Sequence, residues 1–161
     1  MPNKIKVILL DFSYTLCFPK TKEIVDSLDG LYTEIKKSNA QKSIAESFII
    51  NQELLNFLQT LKTKSKLYVF TSGTMYTDPQ IMQYLQPVFD GYITSQELKM
   101  PKSFPNVYKL IANKLDISVA EILFIDDVQK NVIAAQTAGA QAMKFTDNAS
   151  VIQQIKSLIQ L

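Results

Sequence analysis

Asp11 stands directly behind an apolar run, Lys6 to Leu10, and two more acids, Asp126 and Asp127, stand directly behind another, Ile122 to Ile125. A third run, Lys66 to Phe70, ends in Thr71, Ser72 and Gly73. The chain has no histidine and one cysteine, Cys17. Ser-His and Cys-His nucleophiles, His-ligated metals, cysteine zinc sites and a disulfide within the chain are therefore excluded. Whatever chemistry occurs must use carboxylates, hydroxyls and lysines.

The elements that must position these groups follow from periodicity. The three runs, together with Gly91 to Ile93 and Ala140 to Phe145, predict short buried strands. Between them, Leu54, Leu55, Leu58 and Leu61, then Val107, Leu110, Ile111 and Leu115, then Val132, Ile133, Ala135 and Ala138 recur at helical spacing. Gly139 is read as the left-handed cap that ends the last of these helices. Alternating strands and helices predict an α/β domain with a mainly parallel sheet covered on both faces, because parallel strands need crossover connections. Ligands of such sheets sit beyond the carboxyl ends of the strands, which is where Asp11, Thr71, Asp126 and Asp127 fall.

A chain of 161 residues that is 47% hydrophobic and 20% charged is read as one globular domain, residues 1–161. Its 17 basic and 15 acidic residues form no long block of one sign, so nucleic acid binding gains no support. The run Ile5 to Leu10 is too short to span a bilayer or to form a signal-peptide core, and no membrane role is expected. A lone cysteine and the lack of such a segment lead to the expectation of a reducing, cytoplasmic compartment. Residues 20–50 are richer in Lys, Glu and Ser, and Ile24, Leu28, Leu31 and Ile35 predict one or two amphipathic helices forming a short insertion.

The segment Val7-Ile-Leu-Leu-Asp-Phe-Ser-Tyr-Thr-Leu16 resembles the first motif of the haloacid dehalogenase (HAD) superfamily, an apolar strand followed by Asp-x-Asp-x-Thr. Asp11 falls on the nucleophile and Thr15 on the loop hydroxyl, whereas Ser13 replaces the second acid. Leu67-Tyr-Val-Phe-Thr-Ser-Gly73 resembles the second motif. Lys102-Ser-Phe-Pro-Asn-Val-Tyr108 resembles the third, Lys-Pro-x-Pro-x-x-Phe/Tyr, without its first proline. Lys99 is a rival for the lysine, and the spacing to Pro105 and Tyr108 favours Lys102. Ile122-Leu-Phe-Ile-Asp-Asp-Val-Gln-Lys-Asn131 resembles the fourth, with Asp127 on the usual metal position.

The resemblance implies a Rossmann-like HAD fold with a reduced helical cap at 20–50 and a Mg²⁺-dependent phosphatase or phosphotransferase acting through an aspartyl-phosphate. It implies catalytic Asp11, Thr71 and Lys102, substrate contacts from Thr71, Ser72, Gly73 and Lys102, and metal binding by Asp11, the Ser13 carbonyl, Asp127 and Asp126. Mg²⁺ prefers oxygen ligands and keeps several waters, so this set suits it. Loss of the second acid implies slow turnover on alkyl phosphates and preference for aryl or acyl phosphates, whose leaving groups need no proton. The substrate would be a phosphorylated small molecule or macromolecule, the latter favoured by an open site, and an oligomer would be able to supply a missing cap.

Two other functions remain open. A metal-independent haloacid dehalogenase also lacks the second acid, but the paired Asp126 and Asp127 would then repel Asp11 without compensation. A binding or regulatory protein could have kept the fold and lost turnover. At the level of single residues, Asp11, Asp126 and Asp127 are also compatible with turn and cap roles, and Lys102 with a solvated surface position.

Overall fold

The computed structural model describes residues 4–160. Its elements in chain order are β1 (Val7–Leu10), β2 (Cys17–Pro19), α1 (Leu28–Ser38), α2 (Ile44–Ser47), β3 (Phe48–Ile50), α3 (Gln52–Gln59), β4 (Lys66–Thr71), α4 (Pro79–Leu85), β5 (Gly91–Thr94), α5 (Ser95–Leu98), α6 (Pro105–Lys114), β6 (Ile122–Asp126), α7 (Gln129–Ala138), β7 (Gln141–Lys144) and α8 (Asn148–Ile159). Five strands form a parallel sheet in the order β5-β4-β1-β6-β7. β1 lies between β4 and β6, and the chain crosses from one side of it to the other after β5, so its carboxyl end is the topological switch point where such sheets bind ligands.

The predicted α/β architecture is present, and its cause is visible in the side-chain alternation. Ile8, Leu10, Leu67, Val69, Leu123 and Ile125 pack on one face with residues of α3, α4 and α8. Val7, Leu9, Phe70, Ile122 and Phe124 pack on the other with Val107, Tyr108 and Ile111 of α6 and Ala134 and Ala135 of α7. Strands with both faces covered read as unbroken apolar runs. Each fully buried Leu or Ile contributes about 1.5–3 kcal/mol relative to an exposed one. Gly139 does end α7 in the left-handed region, at φ 101°.

The helical expectation for 20–50 holds only in part. Ile24 precedes α1 and is fully exposed, so it belongs to no apolar face. Residues 48–50 are not helical: β3 pairs antiparallel with β2 in a two-stranded ribbon, Cys17 opposite Ile50. Helix α1 begins at an N-cap, Ser27, whose hydroxyl accepts from the Gly30 N–H at 2.9 Å. It lies against the segment after β4, where the Tyr32 hydroxyl donates to Asp78 at 2.9 Å and Lys36 pairs with the same carboxylate at 3.5 Å. Two apolar positions in the helical patterns also turn out to face water, Leu110 and Ile133, while Tyr108 and Ala134 take the buried places beside them. No helix among the described residues is long and apolar enough to cross a membrane.

Candidate active site

Strand register brings the acids together. Leu10 is level with Ile125 of β6, and the Asp11 N–H continues the ladder by donating to the Ile125 carbonyl at 2.9 Å. Asp11 is therefore level with Asp126, and each continues the parity of Leu9 and Phe124 towards the α6/α7 face. On that face Lys102 meets them. Its ammonium donates to Asp11 and, at 3.1 Å, to Asp126, and lies 5.3 Å and 5.9 Å from the ring centroids of Phe70 and Phe124. All three charged side chains are buried: Asp11 is 7%, Lys102 5% and Asp126 0% exposed.

Lys102 is thus a buried cation and not a solvated one. The rival Lys99 is exposed and serves as the left-handed C-cap of α5, at φ 52°. The Tyr108 hydroxyl holds the Lys102 loop from below, facing the carbonyls of Lys102 at 2.8 Å and Asn131 at 3.1 Å. Asp126 is committed on both oxygens: Oδ2 accepts from Lys102 and from Asn131 Nδ2 at 3.2 Å, and Oδ1 accepts from the Val128 N–H at 2.8 Å. Its turn-type bond to Val128 and its contact with Lys102 coexist, whereas the N-cap of α7 is Val128 itself.

Carboxylate oxygens of Asp11, Asp126 and Asp127 lie within 4.8 Å of one another. Burial raises the Asp11 carboxyl to about 7; Lys102 opposes that shift and the neighbouring Asp126 adds to it. Asp127 is raised as well, chiefly by burial. Among the described residues, Lys102 is the one lysine that forms ion pairs with this trio. The cluster has an excess of negative charge, and a buried uncompensated charge costs several kcal/mol. A divalent cation would remove that excess, so the donor set fits Mg²⁺.

Ser13 sits in the turn that follows Asp11. The turn is closed by the Tyr14 N–H to the Cys17 carbonyl, 2.8 Å, and by the Leu16 and Cys17 N–H groups to the Phe12 carbonyl, 2.9 Å and 3.1 Å. None of these bonds uses the Ser13 carbonyl. Tyr14 adopts φ 57°, a left-handed conformation that costs a non-glycine residue roughly 1–2 kcal/mol and that this short turn imposes. Phe12 is buried, Tyr14 and Phe18 pack edge to face, and Cys17 is buried, as packing residues. The Thr15 hydroxyl is buried without a hydrogen-bond partner among the described residues.

Thr71 ends β4 and is 2% exposed. Continuing the β1/β4 register from Leu10 opposite Val69 places it one step beyond Asp11 along the same sheet edge. Its Oγ1 accepts from the Gly73 N–H at 3.2 Å, while the exposed Ser72 hydroxyl accepts from Ser95 at 2.8 Å. Three residues at the site had no sequence signal of their own. Phe70 and Phe124 read as core, and they are core that also carries a lysine. Asp29 of α1 reaches the loop after Thr71, and nothing local in its segment marks it.

The family model for haloacid dehalogenase-like hydrolases matches residues 20–139. A sesquiterpene phosphatase, astK, of Aspergillus oryzae is 33% identical over 78 residues, 48% of this chain and 40% of that protein. An enolase-phosphatase E1 of Methylococcus capsulatus is 35% identical over 78 residues, 45% of this chain and 34% of that one. The chain spans less than half the length of either phosphatase. Among solved structures, a HAD-like family hydrolase of Porphyromonas gingivalis superposes with TM-score 0.71 at 17% identity, covering 99% of this chain and 100% of that one. A HAD family enzyme of Bacteroides thetaiotaomicron, solved with magnesium and inorganic phosphate, gives TM-score 0.60 at 18% identity, covering 88% and 94%. At these identities the structural likenesses establish the fold.

Proposed function

The chain belongs to the haloacid dehalogenase-like hydrolases, and on that premise we propose that it is a Mg²⁺-dependent phosphatase or phosphotransferase whose nucleophile is Asp11. The observation that carries this is the placement of the buried Asp11 carboxylate against Lys102, with the carboxylates of Asp126 and Asp127 within 4.8 Å. The two named relatives are phosphatases, and the Bacteroides neighbour holds magnesium and phosphate. Both facts support the choice of reaction.

Asp11, the Ser13 carbonyl and Asp127 would hold Mg²⁺, and Asp126, committed to Lys102, Asn131 and the Val128 N–H, would act behind them. When bound, the cation would neutralise the carboxylates and draw charge from phosphate oxygens. Asp11 attacks phosphorus in line, forming an Asp–O–P bond as the bond from phosphorus to the leaving oxygen breaks. Lys102 balances the charge on Asp11 and the phosphoryl group. Thr71 and Ser72 supply hydrogen bonds to phosphoryl oxygens, and Gly73 of the same loop, whose N–H is given to Thr71 Oγ1 at 3.2 Å, shapes the loop that binds them. Water then attacks phosphorus, releasing phosphate and restoring the Asp11 carboxylate; an acceptor hydroxyl in place of water makes the reaction a transfer.

Ser13 cannot give a proton to the leaving oxygen or take one from water near neutral pH, and no donor replaces it in the motif. Substrates with good leaving groups, aryl or acyl phosphates, are therefore favoured. Residues 20–50 act as a reduced cap, and the lone buried Cys17 suits a reducing cytoplasm. Hydrolysis of p-nitrophenyl phosphate by wild type and Asp11→Asn, with and without Mg²⁺, tests the proposal. Mg²⁺-dependent turnover lost in the variant is expected. Turnover that ignores both Mg²⁺ and Asp11 would refute it, and complete silence of the wild type would favour a binding protein on this fold.

A further inference from the structure

The segment Ser72 to Met75, which leads from Thr71 into a short 3₁₀ turn, is held by a residue outside the four motifs. Asp29, in the first turn of α1, accepts from the Thr74 N–H and from the Met75 N–H, each at 2.8 Å, through the same oxygen, Oδ1. Its carboxylate lies flat against Gly73, where any side-chain carbon would overlap it. Gly73 in turn donates its N–H to Thr71 Oγ1 at 3.2 Å. A continuous path of contacts runs from the cap helix to the hydroxyl at the sheet edge.

Resting on the phosphatase reading above, we propose that Asp29 is a positioning residue for the reaction: it fixes the loop Ser72 to Met75 and through it the direction of the Thr71 hydroxyl. A carboxylate that only complemented the α1 dipole would be served by any solvent-facing position in that first turn. It would not need both loop N–H groups, nor a glycine opposite. The anchor is also separable from cap docking. Tyr32 and Lys36 reach Asp78 independently, and Ser43 and the Ile44 N–H reach Gln80 at 3.2 Å and 3.0 Å. Removing the Asp29 carboxylate therefore loosens the loop while α1 stays in place.

Three variants test this: Asp29→Ala, Asp29→Asn and Gly73→Ala, with the double variant of Asp29→Ala and Gly73→Ala. Loss of positioning one step from the reacting atoms lowers kcat/KM for p-nitrophenyl phosphate by about tenfold in Asp29→Ala and in Gly73→Ala. Asp29→Asn, whose amide oxygen can accept both N–H groups, stays within about threefold of wild type. The double variant is no worse than either single one, because the methyl at 73 then meets no carboxylate. Amide exchange of Thr74 and Met75 accelerates in Asp29→Ala and not in Asp29→Asn, with α1 unchanged.

Equal exchange at Thr74 and Met75 in wild type and Asp29→Ala would overturn the inference, as would full additivity in the double variant or faster exchange throughout α1. The exchange measurement needs no turnover. A wild type without phosphatase activity would refute the function proposed above and still leave the role of Asp29 decided by its amides.

Discussion

Replacing Ser13 by Asp restores the one acid that the first motif lacks, and the structure allows its effect to be worked out. The turn around residue 13 is closed by main-chain bonds of Tyr14, Leu16 and Cys17, none of which involves the Ser13 side chain, so the exchange leaves the turn intact. A positioned general acid contributes roughly 10²- to 10⁴-fold to rate, which corresponds to ~3–5 kcal/mol of barrier. That gain applies where the leaving oxygen needs a proton. Turnover of an alkyl phosphate therefore rises by about 10² or more, while the first step on p-nitrophenyl phosphate changes by only a few-fold. A further carboxylate two residues from Asp11 adds negative charge to the segment that carries the Asp11, Asp126 and Asp127 group, so the metal-free variant is expected to lose thermal stability and to regain it with Mg²⁺. The assay is kcat/KM on both substrates beside thermal unfolding with and without Mg²⁺. An unchanged alkyl-to-aryl ratio in a folded, Mg²⁺-responsive Ser13→Asp protein would refute the reasoning that the missing acid limits turnover.

Lys102→Met keeps the volume of a 5%-exposed side chain and strands Asp11 and Asp126, so urea unfolding without metal shows a loss of about 3–5 kcal/mol, and turnover disappears. Tyr108→Phe removes the hydroxyl shared between the Lys102 and Asn131 carbonyls; urea unfolding shows a loss of about 1–3 kcal/mol, with a fall in kcat larger than any change in KM. Stability without metal falls as pH rises from the usual carboxylate range through about 7, because the folded protein holds the Asp11 proton more tightly than the unfolded chain. The increase in Tm produced by Mg²⁺ is accordingly larger at pH 8 than at pH 6 in differential scanning calorimetry.

Much of the candidate site was legible because its groups occupy strand ends. An apolar run followed by Asp11, Thr71 or Asp126 marks both a buried parallel strand and the edge where ligands bind, so one pattern places the element and the chemistry together. The spacing of Lys102 to Pro105 and Tyr108 also distinguished it from Lys99, and the Tyr108 hydroxyl on the Lys102 carbonyl gives that spacing a physical reason. The ribbon of β2 and β3 was not legible. Each strand is three residues long, too short to display alternation, and the pairing of Cys17 with Ile50 is decided by packing between distant segments. Ile24 shared a helical spacing with Leu28 by coincidence, since the Ser27 cap starts the helix after it. Asp29 was hidden for a further reason: its partners Thr74 and Met75 lie some 45 positions away, and a charged residue in a polar segment carries no sign of such a contact.

The most direct test of the central claim is to look for the phosphoryl group on Asp11 itself. On the proposed mechanism Ser13 cannot activate water, so breakdown of the aspartyl-phosphate would be slow relative to its formation from an aryl phosphate, and the intermediate is expected to accumulate. Acid quenching of the Mg²⁺-loaded protein during turnover of p-nitrophenyl phosphate, followed by peptide mass mapping, should find one phosphoryl group on the peptide that carries Asp11 and none in Asp11→Asn. Turnover with that peptide unmodified, or a phosphoryl group on another residue, would contradict the account.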